Sequence, residues 1–268
     1  MLKDITLGQY YPGDSVIHRL DPRTKLVGTL VFIISLFLFR SFTVYLAAAV
    51  FLGTIIRISK VPFKFMVRGL KSIMVLLVIT MSFNLFLTPG TPVLRLWKLQ
   101  ITEEGILQAV FMALRLAFLI IGSTVMTLTT TPNHLTDGLE KGLSPLRKVH
   151  VPVHEVAMMM SIALRFIPIL MEETDKIMKA QMARGADFET GGLIKRAKSL
   201  VPLLVPLFIS AFRRANDLAM AMEARGYRGG DGRTKMKPLV YQKRDHAAYL
   251  ILAAYLACIC IVGKFCPI

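Results

Sequence analysis

The amino-acid sequence predicts an all-α, polytopic membrane protein with about five transmembrane helices and a cytoplasmic domain of long amphipathic helices. Three observations predict it. Of the 268 residues, 54% are hydrophobic and the mean hydropathy is +0.56, too apolar for an ordinary soluble globule. The apolar residues come in long unbroken runs rather than alternating faces. The formal net charge of +16 lies between those runs instead of being spread along the chain.

A helix needs about 20 apolar residues to cross the hydrocarbon of a bilayer. Asp21-Pro22 supplies an N-cap and a proline for the first turn, so the first span is expected from Pro22 to Phe39. Arg40-Ser41 then interrupts. One continuous helix would bury Arg40 at mid-membrane, at roughly 3 kcal/mol, so a tight hairpin with Arg40 at the far surface is expected. Phe42 to Ile56 is the second span. Ile73 to Leu87 is the third, closed by Thr88-Pro89-Gly90-Thr91-Pro92. Ile106 to Leu128 is the fourth, and His246 to Val262, capped by Asp245, the fifth. Met1 to Lys25 is polar and lacks the order of a cleavable signal peptide, so insertion is expected to use the first internal apolar run.

Lysine and arginine orient the spans. Lys3, Arg19, Arg23 and Lys25 precede the first, and Arg57, Lys60, Lys64, Arg68 and Lys71 lie between the second and third. The opposite side carries Arg40, Arg95 and Lys98. The N-terminus is therefore expected on the cytoplasmic side of the inner membrane. The chain divides into a four-helix transmembrane region (1–130), a cytoplasmic helical segment (131–244) and a final span (245–268). Nineteen of the 33 lysines and arginines fall in the middle segment, so much of the charge is a topology signal.

That segment is not patterned as a soluble domain. Asn133 to Leu146 predicts a short helix, Val153 to Ala183 a long one kinked at Pro168, and Ser199 to Glu223 another. In the first long helix Leu170, Met171, Ile177, Met178 and Met182 oppose Glu172, Glu173, Asp175, Lys176 and Lys179. In the second, Leu204, Leu207, Phe208, Ala211, Ala215, Leu218 and Met222 oppose Arg213, Arg214, Asp217 and Glu223. Both end alike, in Ala183-Arg184-Gly185 and Ala224-Arg225-Gly226. Glycine after a helix is a common left-handed terminator, and arginine in the last turn suits the macrodipole. Twice over, on similar helices, the tripeptide also reads as a rigid arginine fork able to reach a partner's carboxylate. Methionines crowd the same helices, Met158, Met159 and Met160 among them. They fill irregular cores, but they also make adaptable binding surfaces.

Catalytic signatures are missing from the sequence. There is no GxxxxGK[ST] loop and no nucleophile elbow. His18, His134, His150, His154 and His246 show no HExxH spacing; His150 and His154 are four apart with Pro152 between them. Cys258 and Cys260 would face different sides of a helix, and with Cys266 suggest neither disulfide nor metal site. Neither a cofactor nor enzymatic activity is expected. Arg115 lies inside the fourth span, where it needs a partner; a structural and a transport role are both open. A conventional solute-binding permease is the alternative, although beyond Arg115, Asn84 and some hydroxyls the spans offer little polarity. The apolar stripes and the lack of aromatic platforms argue against a nucleic-acid partner.

The run Gly8-Gln9-Tyr10-Tyr11-Pro12-Gly13-Asp14-Ser15, followed by His18-Arg19-Leu20-Asp21-Pro22-Arg23-Thr24-Lys25-Leu26, resembles the transmembrane T component of energy-coupling-factor (ECF) transporters. The two Ala-Arg-Gly endings, 41 residues apart, and the order of four spans, helical cytoplasmic segment and last span carry the same resemblance. It implies a non-catalytic coupling subunit of an ABC importer for vitamins or transition-metal ions. Two ABC ATPases would bind ATP and receive the tips, Ala183, Arg184 and Gly185 on one and Ala224, Arg225 and Gly226 on the other. A small membrane protein, the substrate-capture (S) component, would rest on the apolar faces, with Met158, Met159, Leu170, Met171, Met178, Leu204, Leu207 and Phe208 as its expected surface. The resemblance does not identify the solute, nor whether the S component is shared or dedicated.

Overall fold

The computed structural model describes residues 10–39, 41–96, 99–188, 192–229, 236 and 238–265. The helices are α1 (Pro22–Leu38), α2 (Phe42–Ser59), α3 (Phe63–Leu87), α4 (Glu103–Thr129), α5 (Pro132–Gly142), α6 (Val153–Ala183), α7 (Leu193–Ala224) and α8 (Lys243–Phe265). A 3₁₀ turn, Ser144–Val149, precedes α6. The protein is an all-α, multi-pass membrane protein. It folds as two compact units, one built on Leu139–Pro238 and one on Gly8–Gly138 with Leu239–Ile268.

In the second unit, α1 begins where the sequence predicts. The Asp21 side chain accepts from the Arg23 N–H, and Pro22 opens the first turn. The aromatic-rich core joins α1, α2 and α8 through Phe32, Leu36, Val44, Tyr45, Ala48, Leu52, Tyr255 and Ile259, with Phe111 and Phe118 of α4 packed against it. Phe51 stacks on Tyr255 with ring centroids 4.0 Å apart. Gly122 lets Phe32 approach α4, since a Cβ there would meet the ring at 2.7 Å. Outward residues such as Leu46, Val50, Val75 and Leu250 are exposed, as lipid contact requires.

Several predicted boundaries move. The third span extends back to Phe63 as two arms, Phe63–Lys71 and Ile73–Leu87, bent by 58°. A short antiparallel ribbon follows it, β1 (Pro92–Leu96) pairing with β2 (Leu99–Thr102), where the sequence suggested only a closing turn. Thr102 welds the ribbon to both helices: its hydroxyl donates to the Thr88 carbonyl at 2.9 Å and accepts from the Gly105 N–H at 3.1 Å. Arg40, the predicted hairpin turn, lies outside the described residues. α7 starts six residues before Ser199 because Leu193 to Lys198 are helix formers, and it runs through both Pro202 and Pro206.

Asp245 is not the cap of α8 but sits in its first turn. Its carboxylate, 1% exposed, accepts from the Gln242 N–H at 2.8 Å and the Asp21 N–H at 2.8 Å. A buried carboxylate needs such donors, and the bond to Gln242 is the returning arm of a capping box.

By length and hydropathy α2, α4, α6 and α8 can cross a membrane, with α3 a fifth if its bent arms form one span. The sequence-based set differs at two places. α1 has 17 residues, about 25 Å of helix against about 30 Å of hydrocarbon. α6 reaches the threshold because its polar residues cluster in its C-terminal half, leaving Val153 to Leu170 almost uncharged.

Candidate functional site

The two Ala-Arg-Gly endings adopt one geometry. Arg184 terminates α6 at φ −89°, ψ 7°, and Arg225 terminates α7 at φ −88°, ψ 7°. Gly185 and Gly226 follow at φ +88° and +70°, in the left-handed region that L side chains rarely adopt. The Gly185 N–H donates to the Met182 carbonyl at 3.0 Å, and the Ala186 N–H reaches back to Gln181 at 3.0 Å. At the second tip the Gly226 N–H donates to Glu223 at 2.8 Å and the Tyr227 N–H to Met222 at 3.0 Å. Each pair of bonds is a full Schellman motif. The backbone carbonyls are thereby satisfied without help from the arginine side chains. Ala183, Arg184, Gly185, Ala224, Arg225 and Gly226 are all exposed, and no described residue engages either guanidinium.

α6 and α7 are antiparallel partners. Gln181 Nε2 donates to the Pro202 carbonyl at 3.2 Å, and Arg214 bonds Glu173 at 2.9 Å. The first contact follows from the prolines: Pro206 has no N–H for the carbonyl four residues back, which is that of Pro202, and Gln181 supplies the missing donor. Antiparallel packing puts the two tips at opposite ends of the pair. From Pro202 to Arg225 the ~23 residues of α7 span at most about 35 Å.

The apolar stripe predicted on α7 divides between two faces. Leu203 is buried, and Leu207, Ser210, Arg214 and Leu218 are half-buried on the side that carries the Glu173 pair. Val201, Leu204, Val205, Phe208, Ile209 and Phe212 are exposed, from 44% at Leu204 to 69% at Phe212. At 100° per residue these six cover roughly 140° of arc, one continuous face. Of the predicted S-component surface, Met159, Leu204 and Phe208 are open, whereas Met158, Leu170, Met171, Met178 and Leu207 are half-buried. Val201, Val205, Ile209 and Phe212 escaped the sequence reading, although their i, i+4, i+8, i+11 spacing was visible once the two prolines are allowed inside the helix.

Two other polar groups have partners. Arg115 Nε donates to the Tyr45 hydroxyl at 3.0 Å, and its guanidinium lies 4.8 Å from the Phe37 ring centroid. At the start of α6, His154 Nδ1 lies 2.9 Å from Glu140, which ties that helix to α5.

Part of the N-terminal signature, which the sequence reads as the start of α1 and a set of topology charges, forms a largely buried polar clamp. Arg23 holds Asp21 through Nε at 3.0 Å and Nη2 at 2.9 Å, and its guanidinium lies 3.9 Å above the Tyr241 ring. Lys25 Nζ donates to the Thr129 carbonyl at 2.8 Å and the His18 carbonyl at 3.1 Å. The Tyr11 N–H takes the neighbouring Leu128 carbonyl at 2.9 Å. The orphan carbonyls ending α4 are thus capped by the N-terminal segment. His18 bridges the Tyr11 carbonyl (3.1 Å) and the Ser15 hydroxyl (2.7 Å), so Nε2 carries the proton and Nδ1 accepts. Burial pushes its pKa below the ordinary 6.5.

The family described as CbiQ, cobalt transport protein, matches residues 13–236. A protein of Clostridium kluyveri named energy-coupling factor transporter transmembrane protein EcfT is 59% identical over 266 residues, 98% of each chain. Proteins of the same name from Thermosediminibacter oceani and Bacillus subtilis are 55% and 48% identical, over 98% and 96% of this chain and 99% and 98% of theirs. With both the N-terminal signature and the paired helix tips in place, the chain belongs to the family of transmembrane T components of energy-coupling-factor transporters.

Proposed function

We propose that the chain is the transmission of an ECF importer for vitamins or transition-metal ions, itself without cofactor or catalytic activity. The observation that carries this is the pair of matching tips: exposed arginines, engaged by no described residue, on Schellman ends at opposite ends of one helix pair. Two ABC ATPases, which bind and hydrolyse ATP, each take one tip, with Arg184 and Arg225 reaching carboxylates in their grooves. The separation of the tips suits two sites on two subunits rather than one. ATPase closure shifts α6 and α7, and their apolar faces carry the S component between orientations. The N-terminus and residues 131–244 lie on the cytoplasmic side, where the ATPases are, with α6, although long and apolar enough to span, lying against the membrane rather than across it; the chain contacts lipid rather than nucleic acid. An exposed apolar face of ~140° needs either lipid or a membrane partner to cover it. A permease binding its own solute is the weaker alternative, because the intramembrane Arg115 is already committed to Tyr45 and Phe37.

The test is Arg184→Glu combined with Arg225→Glu. A truncated charge pair in a desolvated groove costs about 3 kcal/mol, or roughly 100-fold in affinity per tip. Co-purification with the ATPase pair and solute uptake should both vanish while membrane insertion persists. Normal assembly of the double variant would sink the coupling model.

A further inference from the structure

The polypeptide leaves the second unit after Gly138 and re-enters it at Leu239. Both boundary residues are held by consecutive residues of the N-terminal signature. A Cβ on Gly138 would lie 2.9 Å from the Pro22 Cβ and 3.3 Å from its carbonyl carbon, so α5 is seated directly on Pro22. Arg23 Nη2 donates to the Leu239 carbonyl at 3.4 Å, and the same guanidinium covers Tyr241. Around these contacts the seat is buried and hydrogen-bonded. Asp21 and Asp245 are 7% and 1% exposed and joined by the Asp21 N–H, Thr24 adds a longer contact at 3.5 Å, and Lys25 caps α4 just before the outgoing connection. Helix ends and linkers ordinarily fray first, at a free energy near zero. Here both boundary residues, Gly138 within α5 and Leu239 just before α8, are held at the start of one helix.

We propose that Asp21-Pro22-Arg23 is the bearing on which the α6–α7 unit is mounted. Arg23 and Tyr241 are positioning residues that make displacement of that unit act on the membrane helices rather than on loose linkers. This rests on the transmission function proposed above. A bearing must stay still while the part it carries moves, which gives it a signature that a purely stabilising contact lacks.

The experiment uses the full complex with its two ATPases and S component in proteoliposomes, recording assembly, ATP hydrolysis and solute uptake together. Arg23→Ala and Tyr241→Ala should assemble and hydrolyse ATP, while uptake per ATP falls about tenfold and about threefold. Tyr241→Phe keeps the ring beneath Arg23 and should couple as the unmodified chain does. Hydrogen exchange on the unmodified complex should show residues 129–138 and 239–245 equally protected in both nucleotide states while the ends of α6 and α7 change. Unchanged uptake per ATP in both alanine variants would overturn the bearing. So would exchange at those segments that follows nucleotide as strongly as the helix tips. If Arg23→Ala fails to accumulate, the half-exposed Tyr241 pair and the exchange data still decide. Failure of the unmodified chain to assemble with ATPases would refute the transmission model instead, and Arg184→Glu tests that separately.

Discussion

Replacing Gly185 and Gly226 with alanine separates the backbone of the tips from their charge. Both glycines lie at positive φ, +88° and +70°, and nothing lies within 4 Å of an added Cβ at either. Crowding therefore contributes nothing, and the cost is the intrinsic penalty of an L residue in the left-handed region, roughly 1 kcal/mol per site. The tips lie at opposite ends of the helix pair and share no partner, so the double variant should lose about 2 kcal/mol, additively. Asparagine, which tolerates that region, should lose about half as much. The chain cannot avoid the penalty cheaply. Leaving positive φ breaks the Ala186-to-Gln181 and Tyr227-to-Met222 bonds and re-aims the arginine that precedes each glycine. Thermal unfolding of the detergent-purified chain measures the stability, and titration with the ATPase pair measures how many tips remain preformed. One kcal/mol per tip predicts about fivefold weaker binding for each single variant, with arginine itself untouched. Equal stability and affinity for the glycine, asparagine and alanine forms would refute the claim that the Schellman geometry sets the arginine's position. So would a loss confined to one tip, since the two geometries match.

Further tests follow from other parts of the chain. Pro206→Ala restores an N–H opposite the Pro202 carbonyl. It should stabilise α7 by removing a helix break but weaken its bond to Gln181, and hydrogen exchange at Gln181 to Arg184 should rise; a decrease there would contradict the inter-helix role of that carbonyl. His18 is held neutral by burial, with the positive charge of Lys25 adding to the effect. Its folded pKa is below the unfolded 6.5, so its contribution is intact above pH 6.5 and is lost as pH falls through the folded value. Melting temperature should therefore drop between pH 7 and 5, and His18→Gln should flatten that slope. Asp21 acts in a separate window. Burial raises its pKa, but the hydrogen bonds and charge of Arg23 with the charge of Lys25 together lower it below the ordinary 3.8, so its contribution is present above 3.8 and is lost only in stronger acid. Tyr45→Phe removes the acceptor of Arg115 and should cost about 1 kcal/mol in thermal stability while leaving uptake per ATP unchanged; uncoupled uptake would instead give Arg115 a transport role.

Local signals in the sequence were enough for everything that depends on neighbours along the chain. Asp21-Pro22 starts α1, Val153 and Ala183 bound α6, and Ala-Arg-Gly twice writes a Schellman end, because capping and left-handed termination involve residues within about five positions. The apolar runs likewise determined that most of these helices belong in a bilayer. What the sequence could not supply were choices made by residues far apart. Asp245 patterns as a cap for α8, but it is 224 positions from the Asp21 N–H that it accepts, and only folding brings the two together. The Leu204–Met222 stripe patterns as one face, but the fold half-buries Leu207 and Leu218 and leaves Leu204 and Phe208 open. Periodicity reports that a face is apolar, not what covers it. Arg23 and Lys25 patterned as topology charges, and the tertiary structure made Lys25 the donor that caps α4 and Arg23 the donor that holds Asp21 and the Leu239 carbonyl ahead of α8. A buried cation takes its role from the carbonyls and carboxylates that surround it, and those are assembled only in three dimensions.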